Sequence, residues 1–241
     1  MNFSNYRALR LLIALLLCMT ALGLDVARAS ASTAANEQVC NPIADYYLGM
    51  EDYPAAIRLH LAVIRAHPDS ALAHYHLGFA YGAMGDHRRE LHQYQQAIAF
   101  GLSNWQLFLN MGLAYMQAGR LGDAVNMLRL ATLVAPEQSE THFDLGLAYE
   151  RRRMLAQAER EMLLAMGLDP TELGARNTLG LIYAEEGRFA LARAEWLGLL
   201  VTDPEYAPAR ENLAILKRAQ RRWAKRKIAG SHRVADFAHG R

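Results

Sequence analysis

Nine histidines, two cysteines and 24 carboxylates are the residues of this chain whose types admit chemistry. Two imidazoles on one helix face hold a metal ion when they stand about one turn apart. His74 and His76 are separated by a single residue, which on a helix turns their rings about 200° from one another. His87 and His92 stand farther apart and also diverge. Neither pair shares an ion, so no metal site is read from the sequence. Cys18 and Cys40 form no Cys-x-x-Cys pair, which excludes a zinc clasp and a disulfide scaffold. Glu185 and Glu186 precede Gly187 and read as solvated turn residues rather than an acid/base pair. No nucleophile elbow, phosphate loop or dinucleotide fingerprint occurs. These residues point away from an enzyme and from a cofactor, and toward recognition by a surface.

Charge is divided along the chain. Residues 30–216 carry 14 Arg, no Lys and 22 acidic residues, a balance of −8. Residues 217–241 carry nine basic residues and Asp236, a balance of +8. The segment KRAQRRWAKRK, 217–227, contributes Lys217, Arg218, Arg221, Arg222, Lys225, Arg226 and Lys227 around Trp223. Such a tail suits anionic lipid headgroups or an acidic protein surface. A solvated helix whose cations complement its C-terminal dipole is the plainer reading. Phosphate neutralisation would suit nucleic acid, but the N-terminus argues against that partner. Arg7 and Arg10 precede an apolar run of 14 residues from Leu11 to Leu24, followed by Ala27-Arg28-Ala29 and Ala29-Ser30-Ala31. That order fits a signal peptide over residues 1–31 and export to the periplasm. The same run, extended by Ala8 and Leu9, also fits an uncleaved anchor in the inner membrane. Leu17 before Cys18 does not suit lipidation. With the leader removed, Cys40 is the remaining cysteine. It reads either as a thiol before a helix start that pairs with another chain, or as a small buried residue under the first repeat.

Between the leader and the tail the chain repeats itself. LGFAY at 77–81 recurs as MGLAY at 111–115, LGLAY at 145–149 and LGLIY at 179–183, always at the same interval. Gly78, Gly112, Gly146 and Gly180 hold one register, with Ala44 in the same slot of the first window. Small residues recur at Ala56, Ala124, Ala158 and Ala192, broken by Glu90. Larger side chains recur at His60, Tyr94, Leu128, Met162 and Trp196. Pro68, Pro136, Pro170 and Pro204 close the windows, with Leu102 the exception. Each proline disfavours helix in the residue before it. Gly85, Gly119 and Gly187 mark a turn inside each window, where the fourth carries Arg153. The period therefore encodes two helices per window. A glycine inside a helix costs roughly 1 kcal/mol relative to alanine, so Gly78 must be repaid by close packing. Pro42 shortens the first helix, with Asn41 suited to cap it.

This 34-residue pattern resembles the tetratricopeptide repeat (TPR) family. The windows are 37–70, 71–104, 105–138, 139–172 and 173–206, preceded by a linker at 32–36. The resemblance implies an all-α, right-handed α-solenoid of about five helix pairs. A capping helix at 207–228 and a flexible basic tail at 229–241 complete the expected domain organisation.

In the family, first helices line a concave groove. Here that face would present Tyr75, Phe79, Leu109, Leu113, Met116, Phe143, Leu147, Asn177 and Leu181. An apolar stripe suits an extended peptide or an amphipathic helix. Completion of packing between repeats is the alternative for the same residues. Asn110, Glu140, Asp144, Glu150 and Arg151 lie near the stripe. Some members clamp a terminal carboxylate with lysine, and the matching places hold Tyr75, Leu109 and Phe143 instead. His74 and His142 share one register, which favours a structural role. Exported bacterial members of this size, assembly factors for pili, secretins and surface polysaccharide systems among them, are similar in layout. The expectation is a non-catalytic interaction module that binds a segment of another envelope protein. A membrane-surface or self-associating scaffold that uses the basic tail is the alternative.

Overall fold

The computed structural model describes residues 41–218. Every regular element among them is helical: α1 (Pro42–Gly49), α2 (Tyr53–Ala66), α3 (Ala71–Ala83), α4 (His87–Ala99), α5 (Trp105–Gln117), α6 (Leu121–Val134), α7 (Ser139–Arg151), α8 (Leu155–Leu168), α9 (Leu173–Glu185) and α10 (Phe189–Thr202). An eleventh, α11, covers 207–218. The fold is an all-α solenoid of consecutive helix pairs closed by a further helix. The expected leader or anchor at 1–31, Cys18, Cys40, the tail cations from Arg221 onward and residues 229–241 lie outside the described residues. No helix among the described residues is long and apolar enough to cross a membrane.

Local chemistry sets the helix ends. Pro42 occupies the first turn of α1, and the Asn41 side chain accepts from the Ile43 and Ala44 amides. Asp52, Ser70, Asp86 and Asn104 accept from the amide three positions ahead in the same way, satisfying otherwise orphan donors. Helices α2, α6, α8 and α10 each stop just short of Pro68, Pro136, Pro170 or Pro204. At the exception, Leu102, Gly101 supplies the break with φ +101°. The turn inside each window needs a left-handed residue, and glycine meets that need at no steric cost. Gly85, Gly119 and Gly187 adopt φ of 78°, 71° and 75°, while Glu51 and Arg153 are forced to 59° and 61° at the same register.

The chain divides into two compact units, one ending at Ala114 and the other beginning at Tyr115. In the first unit α1 packs on α2, α2 on α3 and α3 on α4. In the second, α6 packs on α7, α7 on α8, α8 on α9 and α9 on α10. Within a pair the glycine register admits a large side chain from the second helix. A Cβ on Gly78 would stand 2.6 Å from Tyr94 Cε1, one on Gly146 2.7 Å from Met162 Cε, and one on Gly180 2.7 Å from Trp196 Cε2. Those contacts repay the glycine's helix penalty, since Tyr94, Met162 and Trp196 are buried almost completely. Gly82 has a separate cause. Glu90 breaks the alanine series, and its carboxylate occupies the space that a side chain at 82 would fill. The second unit's core gathers Met162, Leu179, Ile182, Trp196 and Leu199, and α11 adds Ala209 and Leu216. That burial closes the apolar face of the last pair, as a terminal repeat requires.

Candidate functional site

The first helices of each pair place the stripe residues at different depths. Phe79 and Leu181 reach the surface, 42% and 38% exposed. Tyr75, Leu113, Phe143, Leu147 and Asn177 are half-buried. Leu109 and Met116 are buried, so they serve packing in the chain as it stands. Phe143 also packs across a repeat boundary, because a Cβ on Gly174 would meet its Cζ at 3.2 Å. Stripe and packing are therefore shared by one register of residues, with Phe79 the most accessible apolar anchor.

Polar bridges join neighbouring first helices in each unit. Asn110 Nδ2 donates to the Tyr75 hydroxyl at 3.0 Å, and Asn212 Nδ2 donates to Asn177 Oδ1 at 3.0 Å. The two bridges are register equivalents three windows apart. Asp144 stands at the register of Asn110 and Asn212 and is buried. Burial pushes its carboxyl up to about 7, helped by the charges of Glu140 and Glu172. Glu140 is exposed, Glu150 is half-buried and Arg151 is exposed.

The basic tail is described only at its start, where Lys217 and Arg218 are exposed. In the second unit, outward faces of the second helices leave Leu133 and Val201 at 73% and 85% exposure, with Leu163, Leu164 and Leu197 about half exposed. Sequence reasoning did not single out those residues.

Four of the histidines fall into two kinds. His74 is held by Gln93 at 2.7 Å and by the Pro68 carbonyl at 2.9 Å. His142 repeats the arrangement with Glu161 at 2.7 Å and the Pro136 carbonyl at 3.1 Å. Both fasten a first helix to its neighbouring second helix and to the preceding loop, which is a structural task.

The other kind was missed from sequence. Asp45 on α1, His60 on α2 and His76 on α3 converge, with one ligand-type atom from each lying within 4.8 Å of the others. His76 Nδ1 is 2.7 Å from Asp45 Oδ1, and His60 Nε2 is 3.7 Å from the same oxygen. The two rings meet edge to face with centroids 5.3 Å apart. His60 is fully buried, and neither of its ring nitrogens has a hydrogen-bond partner. Burial, then the neighbouring His76, lower its pKa to about 4 against the opposing pull of Asp45. At neutral pH His60 is therefore uncharged, and its approach to Asp45 is not an ion pair. Burial lowers the His76 pKa too, with Asp45 opposing. His74 and His76 do face different neighbours, as their spacing requires. The cluster escaped because its members are distant in sequence and belong to three helices. The signal available was a histidine in the slot that otherwise holds Tyr94, Leu128, Met162 and Trp196.

Comparison with known proteins gives the lineage. A sequence profile described as "Tetratricopeptide repeat" matches residues 42–103 and 109–172. No curated protein matches the sequence. Among solved structures, YrrB, described as a TPR protein with an unusual peptide-binding site, is similar at 18% identity. The match has a TM-score of 0.65 and covers 70% of this chain and 87% of YrrB. MamA is similar at 19% identity and TM-score 0.62 over 76% of this chain and 99% of its own. A thermophilic TPR protein from Thermus thermophilus is similar at 20% identity and TM-score 0.53 over 76% of this chain and 98% of its own. At such identities the likeness is one of fold.

Proposed function

We propose, from the premise that this chain belongs to the tetratricopeptide repeat family, that it binds a segment of another cell-envelope protein on its first-helix face and assists assembly of a complex. A protein–protein interaction module is what the fold provides. The finer reading, a pilus, secretion or surface-polysaccharide assembly factor working in the periplasm, rests on the export-type run at Leu11 to Leu24 and on the apolar stripe. An N-terminal anchor facing the periplasm is compatible with the same role.

One observation carries the reading: Phe79, a large aromatic residue, stands 42% exposed on a first helix whose neighbouring positions are otherwise packed or hydrogen-bonded. An exposed aromatic flanked by ordered groups is the form of a binding anchor. YrrB, on a similar fold, is described as having a peptide-binding site. The accessible stripe residues, Phe79 first among them, bind by shape and desolvation, with no covalent chemistry.

The test is a photo-crosslinking residue at Phe79 in the exported protein of the native host, with the exposed outer residue Arg160 as control. One defined envelope protein captured at 79 and lost at 160 supports the reading. Equal capture at both sites, or none at 79 in a folded protein, removes it.

A scaffold that self-associates is the second reading. The exposed apolar side chains of Leu133, Leu163, Leu164, Leu197 and Val201 on second helices favour it, and the basic tail suits an anionic membrane surface. Sedimentation of the chain with and without Val201→Glu separates this reading from the first.

A further inference from the structure

We propose that Asp45, His60 and His76 form a binding site for one divalent transition-metal ion of the zinc class, which fastens the short first helix to the two that follow. The geometry is the first ground. Two imidazole nitrogens and a carboxylate oxygen are a donor set that borderline divalent ions take. Bonds of about 2.0–2.1 Å in a tetrahedral site put ligand atoms about 3.3 Å apart. The 2.7 and 3.7 Å separations here bracket that value, and all three atoms lie within 4.8 Å. Small side-chain adjustments would complete the set. Asp45 is 37% and His76 21% exposed in their side chains, which leaves an entry path and a fourth position for water.

The second ground is His60 itself. A fully buried imidazole with neither nitrogen bonded is costly, because the desolvation of each polar atom goes unrepaid. His74 and His142 show that this fold readily supplies partners for buried histidines. The ligand-type groups that converge on His60 are the other two members of the cluster, and an ion shared with them would satisfy a His60 nitrogen.

The third ground is the repeat register. The places of Asp45, His60 and His76 are filled at later boundaries by Phe79, Tyr94 and Asn110, by Leu113, Leu128 and Asp144, by Leu147, Met162 and Thr178, and by Leu181, Trp196 and Asn212. Each of those sets has two apolar or aromatic residues and one small polar residue. The first boundary alone replaces all three with ligating side chains. It also involves the short α1, eight residues long, whose one fully buried residue is Ala44. Cross-linking α1 to α2 and α3 through an ion supplies the fastening that its side chains do not.

The experiment uses the full purified chain stripped with chelator and titrated with Co²⁺ by visible absorption, then with Zn²⁺ in competition. The expected result is saturation at one equivalent, with the spectrum of a four-coordinate nitrogen and oxygen site. His60→Leu installs the residue type of Leu128 and should weaken binding by more than about 100-fold, beyond the roughly 10–100-fold typical of losing an outer partner. His92→Ala, at an exposed histidine, should leave binding unchanged. If His60→Leu does not fold by circular dichroism, His76→Asn, matching Asn110, carries the same test at the rim. Absence of saturable binding to the wild type, retention in the ligand variants, or loss in His92→Ala would each overturn the site.

Discussion

In the fifth helix pair, Trp196 lies 2% exposed over Gly180 and its indole N–H donates to the Asn177 carbonyl at 3.3 Å. At the same register of the first pair, His60 lies fully buried with both nitrogens unbonded, near Asp45 and His76. One slot is filled for packing, the other at the expense of packing. The difference teaches that a repeat register fixes where a side chain goes and leaves open what it does there. A buried slot in this array accepts tyrosine, leucine, methionine or tryptophan as core, and the same slot with polar neighbours becomes a place for a ligand.

The largest expected effect lies in the packed slot. Trp196→Ala should destabilise the second unit by about 3–5 kcal/mol, the usual cost of emptying a buried aromatic site, read as a lower urea midpoint. A variant within about 0.5 kcal/mol of the wild type, on the order of a surface change, would break the comparison, because the fifth pair would then depend no more on its slot than the first does.

Asp144 is next, a buried polar group in the second unit. Its native pKa is about 7 against an unfolded value of 3.8. Between those values the folded state holds the proton more tightly, so stability falls as pH rises from about 4 and the penalty is complete above about 7, at up to about 4 kcal/mol. Asp144→Asn should flatten that slope and raise the melting temperature at pH 8 relative to wild type. An unchanged pH profile would mean that solvent or a neighbour already meets the charge.

The smallest effect concerns the turns of the same two pairs. Gly187 takes φ +75° in the fifth, and Glu51 is held at +59° in the first. Relief of the left-handed strain makes Glu51→Gly stabilising by about 0.5–1 kcal/mol. Gly187→Ala should cost about as much in the opposite direction. Thermal melts of both variants measure the asymmetry directly.

Much of the fold could be read from spacing alone. The glycine, tyrosine and proline registers state the helix pairs, and Asn41 with Pro42 states where α1 begins. The stripe was legible as a row and not as a surface. Wheel angles put Leu109 and Phe79 on one face, yet Leu109 is buried and Phe79 exposed, since depth depends on what the adjacent window brings. Gly82 was opaque for a related reason: its cause is Glu90, a departure found in one window, and only contact between two helices joins them. The histidine cluster was hidden most deeply. A search for ligands along one helix tests i, i+4 spacings, whereas Asp45, His60 and His76 meet because three helices pack.

The most direct measurement for the contrast between the two slots is the thermal stability of His60→Leu beside the wild type, both stripped of metal. If the slot is held for something other than packing, the leucine variant is the more stable of the two by about 1–3 kcal/mol, the cost of the unsatisfied polar atoms it removes. Added Zn²⁺ should then raise the wild type and leave the variant unmoved. A leucine variant less stable than the stripped wild type would contradict the account and make His60 a core residue like Trp196.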